Sequence, residues 1–240
     1  SAGSVTPGQG LGTGIPEPKG SAGPALALLP TVYATLHPAA IYEAPWLKPA
    51  ALRDWQKLGE LLAGRWPQPM PPIQRAMTTW PAEFAFDTEF WEQGQEHRLV
   101  RWSAANEEGL WCVESGTPLP GAPQRPPHVI LHQADADIDT LEELFGGLVT
   151  YEDTMYAHHA LHSELAHDLD FLGSLYARTN RWKHLAQANP VEYAAGDALG
   201  TWDVWRGLRA ELARDLQSEW IYKNCLLPLL PIIASARRVG

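Results

Sequence analysis

The run Glu83-Phe84-Ala85-Phe86-Asp87-Thr88-Glu89-Phe90 places two carboxylates two residues apart in an otherwise apolar stretch. Read as a strand, its period of two puts Asp87 and Glu89 on one side and Phe84, Phe86 and Phe90 on the other. Like charges at the end of a buried strand need a cation or hydrogen bonds to compensate them. A hard divalent ion such as Mg²⁺ or Mn²⁺ suits two such oxygen donors. A strand end whose acids face water has the same sequence, so the pair gains meaning only from partners elsewhere in the chain.

With 240 residues, 45% of them hydrophobic and 19% charged, the chain is long enough for one large domain or a domain with an appendage. No apolar run reaches membrane-spanning length, and the opening Ser-Ala-Gly-Ser-Val-Thr-Pro-Gly has neither the basic segment nor the apolar core of a secretory signal. Cys112 and Cys225 lie far apart and are expected as reduced, buried thiols of a cytoplasmic protein without membrane attachment. A net charge of −10 excludes a protein that grips nucleic acid by a broad basic surface. It leaves room for a nuclease, in which acidic side chains hold metal ions and the ions meet the phosphate.

Residues 1 to about 30 are rich in Gly, Pro and Ser and read as loop. Thr31 to Leu36 is a short β-like run, and an amphipathic helix is expected from about Pro49 to Leu62. Pro67, Pro69, Pro71 and Pro72 then favour extended backbone, which places a domain boundary at 66/67. Beyond it strands are expected at 83–89, 98–103, 109–114 and 128–131, the second and third joined by a turn at Asn106-Glu107-Glu108-Gly109. A proline-rich loop spans 116–127. Helix 137–145, a strand near 148–150 and helices near 153–161 and 167–177 follow. Pro190 opens a helix running to about Gln217, and a last helix starts near Glu219. The expected class is α/β, a mixed sheet flanked by helices with a small N-terminal appendage.

Tyr193 and Asp197, four apart on the long helix, share one face. Between them and the first strand lies His132-Gln133-Ala134-Asp135-Ala136-Asp137, where a strand passes into a helix. The order Asp-x-Glu, then Asp, then Tyr-x-x-x-Asp resembles the DEDD 3′–5′ exonucleases of the tyrosine subtype, which have a ribonuclease-H-like fold. The resemblance covers residues 80–217. Asp153-Thr154-Met155-Tyr156-Ala157-His158-His159, His167-Asp168-Leu169-Asp170-Phe171-Leu172 and Trp182-Lys183-His184 are similar to stretches of the proofreading domains of bacterial and phage family A DNA polymerases. Leu226-Leu227-Pro228-Leu229-Leu230-Pro231 onward resembles the entry into a polymerase domain.

The resemblance implies phosphodiester hydrolysis with two divalent ions, Mg²⁺ or Mn²⁺, held by Asp87, Glu89, Asp137 and Asp197. It also implies that Tyr193 orients the attacking water, since a hydroxyl with an ordinary pKa near ~10 is a poor base at neutral pH. Phe90, Lys183 and His132 are the expected substrate contacts: Phe90 by stacking on a terminal base or, equally, by packing in the core, and Lys183 by meeting a phosphate. The middle motif departs from the usual His-Asn-x-x-Phe-Asp. Gln133 replaces the asparagine, Ala136 the aromatic, and Asp135 and Asp139 compete with Asp137 for the ligand role.

His158, His159 and His162 lack the glutamate of a zincin pattern and read as an ordinary helix face. Leu29 to Ala40 is similar to the last strand and His-Pro motif of uracil-DNA glycosylases, without that family's water-positioning motif. The resemblances together imply three parts: a glycosylase-like tail and linker at 1–66, an exonuclease at 67–217, and at 218–240 a helix leading into a polymerase domain. The implied substrate is single-stranded or frayed 3′ ends of DNA, in a bacterial or phage-encoded protein. Asp87-Thr88-Glu89-Phe90 is also similar to the opening motif of ribonuclease-D-like RNA exonucleases, and the altered middle motif suits a non-catalytic binding module as well.

Overall fold

The computed structural model describes residues 38–93, 96–123, 125–146 and 149–239. The β-like run at 31–36 and most of the glycosylase-like stretch lie outside the described residues. The described residues belong to one compact unit.

Its centre is a six-stranded mixed sheet. The strands are β1 (Ile73–Gln74), β2 (Glu83–Gln93), β3 (Glu96–Ala105), β4 (Leu110–Glu114), β5 (His128–Leu131) and β6 (Thr150–Asp153), in the spatial order β1-β4-β3-β2-β5-β6. β2, β3 and β4 form an antiparallel meander, while β5 and β6 run parallel to β2. The β3–β4 turn forms as the sequence predicts: Asn106 Oδ1 accepts from the Glu108 and Gly109 amides at 2.8 and 3.1 Å. Between Glu89 and Phe90 the β2–β3 register slips by one, so that Glu89 faces Arg101 and Phe90 faces Leu99.

Helices cover both faces. Among the described residues they are α1 (Pro38–Glu43), α2 (Lys48–Leu62), α3 (Ile138–Phe145), α4 (Thr154–Leu161), α5 (Leu169–Tyr176), α6 (Pro190–Leu212), α7 (Leu216–Ile221) and α8 (Leu230–Val239). The strand period sorts the core into two layers. Phe84 and Phe86 pack with Trp102, Trp111, Leu131, Leu141 and Leu230 on one face. Ala85, Ala105, Cys112 and Ile130 meet α6 on the other.

α6 lies close to the sheet because the face it turns to the strands is rich in small residues: Ala194, Ala195 and Ala198 are buried in one cluster with those strand residues. Ser103 Oγ donates to Ala194 O at 2.7 Å, tying the helix to β3. α2 packs on α5, where the Lys57 ammonium donates to the carbonyls of Gly173 and Ser174 at 3.2 and 2.6 Å in the last turn, the negative end of that helix dipole.

Three expectations need correction. α6 ends at Leu212 rather than near Gln217, because Asp215 caps a new helix by accepting from the Ser218 amide at 3.1 Å. The last helical stretch accordingly starts at Leu216 and passes through a wide i→i+5 turn at Tyr222–Leu226 before α8. Cys112 is buried as expected, but Cys225 is exposed on that wide turn.

The C-terminal stretch returns to the sheet. Tyr222 is fully buried; its hydroxyl accepts from the Asp153 amide at 2.8 Å and donates to Glu152 Oε2 at 2.6 Å. Arg237 forms an ion pair with Asp135 at 2.6 Å. No helix among the described residues is long and apolar enough to cross a membrane.

Candidate active site

Asp87 and Glu89 emerge on the α6 side of β2, the side that Ala85 begins. α6 starts with Asn189 accepting from the Glu192 amide at 3.3 Å and Pro190 in its first turn, which aims Tyr193 and Asp197 at the same spot one helical turn apart. Ligand oxygens of Asp87, Glu89 and Asp197 lie within 4.8 Å of one another. Asp87 Oδ2 is buried and accepts no hydrogen bond among the described residues.

Asp137 stays outside that group of three, near enough to Asp87 for its charge to raise the Asp87 carboxyl. It is buried, and its Oδ1 accepts from the hydroxyl of Thr88, the residue between the two strand acids. Asp135 is turned away to Arg237, and Asp139 lies on the exposed face of α3.

The electrostatics of the cluster are unfavourable without a cation. Burial raises the Asp87 carboxyl well above the usual range, and the charges of Asp137, Asp197 and Glu89 push it further against the pull of Lys183. Glu89 is raised by burial and by Asp197. Burial lifts Asp137 to about 7, opposed by the Thr88 hydrogen bond.

A divalent cation is the simplest remedy. The donors are all carboxylate oxygens, the set that Mg²⁺ and Mn²⁺ favour, and an inward-facing orphan oxygen stands ready on Asp87. Among the described residues no second group of three such donors converges. The histidines instead bond to one another or to an acid: His158 Nδ1 to His167 Nδ1 at 2.8 Å, His159 Nδ1 to His167 Nε2 at 3.0 Å, and His162 Nε2 to Glu211 Oε2 at 3.0 Å.

The remaining expected residues fall in three places. Tyr193 stands over the acids, its hydroxyl 3.5 Å from Lys183 Nζ and its pKa raised by burial and by Asp197, so it is neutral at working pH. Lys183 Nζ is 2.6 Å from Asp197 Oδ1. His132 is half-buried with Nδ1 2.9 Å from Thr154 Oγ1, whose own hydrogen goes to Leu131 O at 3.1 Å; His132 therefore donates from Nδ1. Burial drives its pKa down to about 4, so the ring is uncharged. Phe90 is half-buried just beyond the register slip.

Two residues that position the site escaped the sequence reading. Trp182 is buried, donates its indole N–H to Asp197 Oδ1 at 2.5 Å, and lies flat in slots left by Gly173, Gly196 and Gly200. Asp153 is fully buried; Oδ1 caps α4 through the Tyr156 amide at 3.0 Å, while Oδ2 accepts from the Ala134 amide at 2.6 Å. That second bond pins the turn from which Asp137 projects. A capping aspartate ahead of Thr154 was legible; its grip on Ala134, 19 residues away, was not.

Asp153→Ala removes a cap and orphans a buried amide. The expected loss is about 2–4 kcal/mol of stability together with reduced divalent-ion affinity, read by thermal melting and calorimetry. Unchanged melting would show that Asp153 has no such role. Gln133 holds φ at 61°, in the left-handed region where Asn and Gly are at ease and Gln is not. Gln133→Gly is therefore expected to raise stability by about 0.5–1 kcal/mol in denaturant titration, and a loss of stability would contradict the strain.

No family model and no curated protein matches this chain. Solved structures do. NrnC from Brucella melitensis aligns at 19% identity over 70% of this chain and 94% of its own, with a TM-score of 0.56. The same protein with bound Mg²⁺ aligns at 20% identity over the same shares, with a TM-score of 0.52. A mutant of the catalytic core of RRP6 from Trypanosoma brucei aligns at 18% over 74% of this chain and 50% of its own, at a TM-score of 0.50. The chain has a ribonuclease-H-like fold. At these identities the likeness extends to architecture alone.

Proposed function

We propose that this chain is a metal-dependent 3′–5′ exonuclease acting on single-stranded or frayed DNA ends, as the proofreading module of a family A-like polymerase. The observation that carries the hydrolytic part is the convergence of Asp87, Glu89 and Asp197, with the charge of Asp137 acting on Asp87 and Asp87 Oδ2 buried and without a hydrogen-bond partner among the described residues. The fold shared with NrnC, a protein that binds Mg²⁺, supports it. Direction and DNA preference rest on the sequence resemblance and on the polymerase-like C-terminal stretch.

Divalent ions bound by Asp87, Glu89, Asp197 and Asp137 would lower the pKa of a bound water and neutralise charge growing on the phosphate. The chain's own groups do the rest. Thr88 holds Asp137, Trp182 holds Asp197, and the neutral Tyr193 hydroxyl, carried on α6 one turn before Asp197, accepts or donates one hydrogen bond to orient the attacking water. His132, uncharged and tied to Thr154, presents its Nε2 edge as a hydrogen-bond partner for substrate.

End-labelled single-stranded DNA and RNA of one sequence, incubated with Mg²⁺ or Mn²⁺, test the proposal. Stepwise shortening of 3′ ends, faster on DNA and absent after Asp87→Asn, is the expected result. A strong preference for RNA would favour the ribonuclease-D-like reading that Asp87-Thr88-Glu89-Phe90 motivates. No degradation with either ion would leave a binding module.

A further inference from the structure

Among the described residues, Lys183 is the one that brings a positive charge onto a prospective ligand atom of the cluster. Its Nζ lies 2.6 Å from Asp197 Oδ1, the oxygen that also accepts from the Trp182 indole. It is 5.0 Å from the centre of the Tyr193 ring. Its charge opposes the mutual repulsion of Asp87 and Glu89 as well. The side chain is 28% exposed, sheltered enough for the pairing to be strong. Its anchor is rigid and its stem is not. Lys183 follows directly on Trp182, whose ring is wedged against three glycines, whereas four rotatable bonds separate Nζ from the backbone.

We propose that Lys183 is a tethered counter-ion that competes with the divalent ion for Asp197, so that metal binding is an exchange of an ammonium for a metal. This rests on the reading of the acids as a metal site. Asp197 Oδ1 already takes two donors, and an ammonium on that oxygen repels a dication at the same carboxylate. Lys183 therefore keeps the acid cluster folded without metal and weakens the site's affinity for it. The flexible stem lets the displaced ammonium withdraw while Trp182 stays in place.

The test is Mn²⁺ calorimetry on the unaltered chain, Lys183→Met and Lys183→Gln, with melting curves in EDTA and in Mn²⁺. Removing the ammonium is expected to lower the Mn²⁺ Kd by about tenfold or more. It should also lower the melting temperature in EDTA and enlarge the rise that Mn²⁺ produces. In the unaltered chain, Mn²⁺ should accelerate acylation of the Lys183 amine by an amine-reactive ester, read by mass spectrometry; this arm needs no variant to fold. Equal or weaker Mn²⁺ binding in both variants, or acylation unaffected by Mn²⁺, overturns the exchange. Those results leave the nuclease reading standing if Mn²⁺ binds and Asp87→Asn abolishes that binding. Absence of Mn²⁺ binding in all three proteins overturns both.

Discussion

Asp87→Asn is expected to unfold at a higher temperature than the unaltered chain when metal is absent, while losing roughly a thousand-fold or more in turnover. The two effects have one cause. Asp87 is held inward among Asp137, Asp197 and Glu89, with a buried oxygen that no donor meets. Asparagine keeps the shape, removes the repelled charge and offers an N–H to a neighbouring carboxylate, which should add about 1–2 kcal/mol in EDTA near pH 8.

The pH dependence has a definite sign. Asp137 at about 7, Asp153 at about 6 and Asp87 well above its ordinary value all keep protons in the folded chain that the unfolded chain loses near ~4. Stability therefore falls as pH rises from about 4 through 7 on account of Asp153 and Asp137, and goes on falling through the raised pKa of Asp87. His132 at about 4 and His158 at about 3 act oppositely: they stay neutral in the fold, so their contribution is present above ~6.5 and is lost as pH falls below it. Above pH ~6.5 the histidines no longer oppose the acids, so the metal-free melting temperature should decline from there toward pH 9. Mn²⁺ should flatten the alkaline decline by stabilising ionised carboxylates. Melting curves from pH 5 to 9 in EDTA and in Mn²⁺ decide the matter; an alkaline limb of equal slope in both would rule out a charged, metal-seeking cluster.

Gly200→Ala is the second large effect, and it acts without touching an acid. A Cβ at Gly200 would stand 2.3 Å from the Trp182 ring, against an ordinary carbon contact of about 3.5–4.0 Å. The ring is 3% exposed and closed in by Gly173 and Gly196, so it has no free direction in which to move. It must tilt, and the indole N–H then leaves Asp197. Overpacking of this kind costs about 1–3 kcal/mol, and a ligand carboxylate displaced by an ångström costs about a hundred-fold in rate. Gly59→Ala is the matched control. It is also in a helix, its Cβ meets nothing within 4 Å, and it should gain about 0.5–1 kcal/mol with activity unchanged. If Gly200→Ala melted and turned over like the unaltered chain, Trp182 could not be the part that holds Asp197.

The elements carrying the acids were legible because their signals are local. Alternation of Phe84, Ala85 and Phe86 marks β2, the Asn106 turn marks the β3–β4 connection, and Pro190 behind a capping Asn189 marks the start of α6. The end of α6 was overshot because the apolar pattern continues into α7, and only the Asp215 cap separates the two helices. Relations spanning the fold left no pattern to read. Trp182 reaches Asp197 across 15 positions, and its slot combines glycines from α5 and α6 that singly look like helix defects. The left-handed Gln133 and the bond from Ala134 to Asp153 shape the turn in which Asp135 meets Arg237 and Asp137 meets Thr88. Neither is visible in a run of alternating Asp and Ala.

The C-terminal stretch gives the molecule a mechanical path. Tyr222 grips the end of β6 at Glu152 and Asp153, Asp153 grips Ala134, and Arg237 grips Asp135 in the same short turn. The turn ahead of Asp137 is thus tied to the C-terminal stretch twice over, once through Tyr222 and Asp153 and once through Arg237, and cutting one tie leaves the other in place.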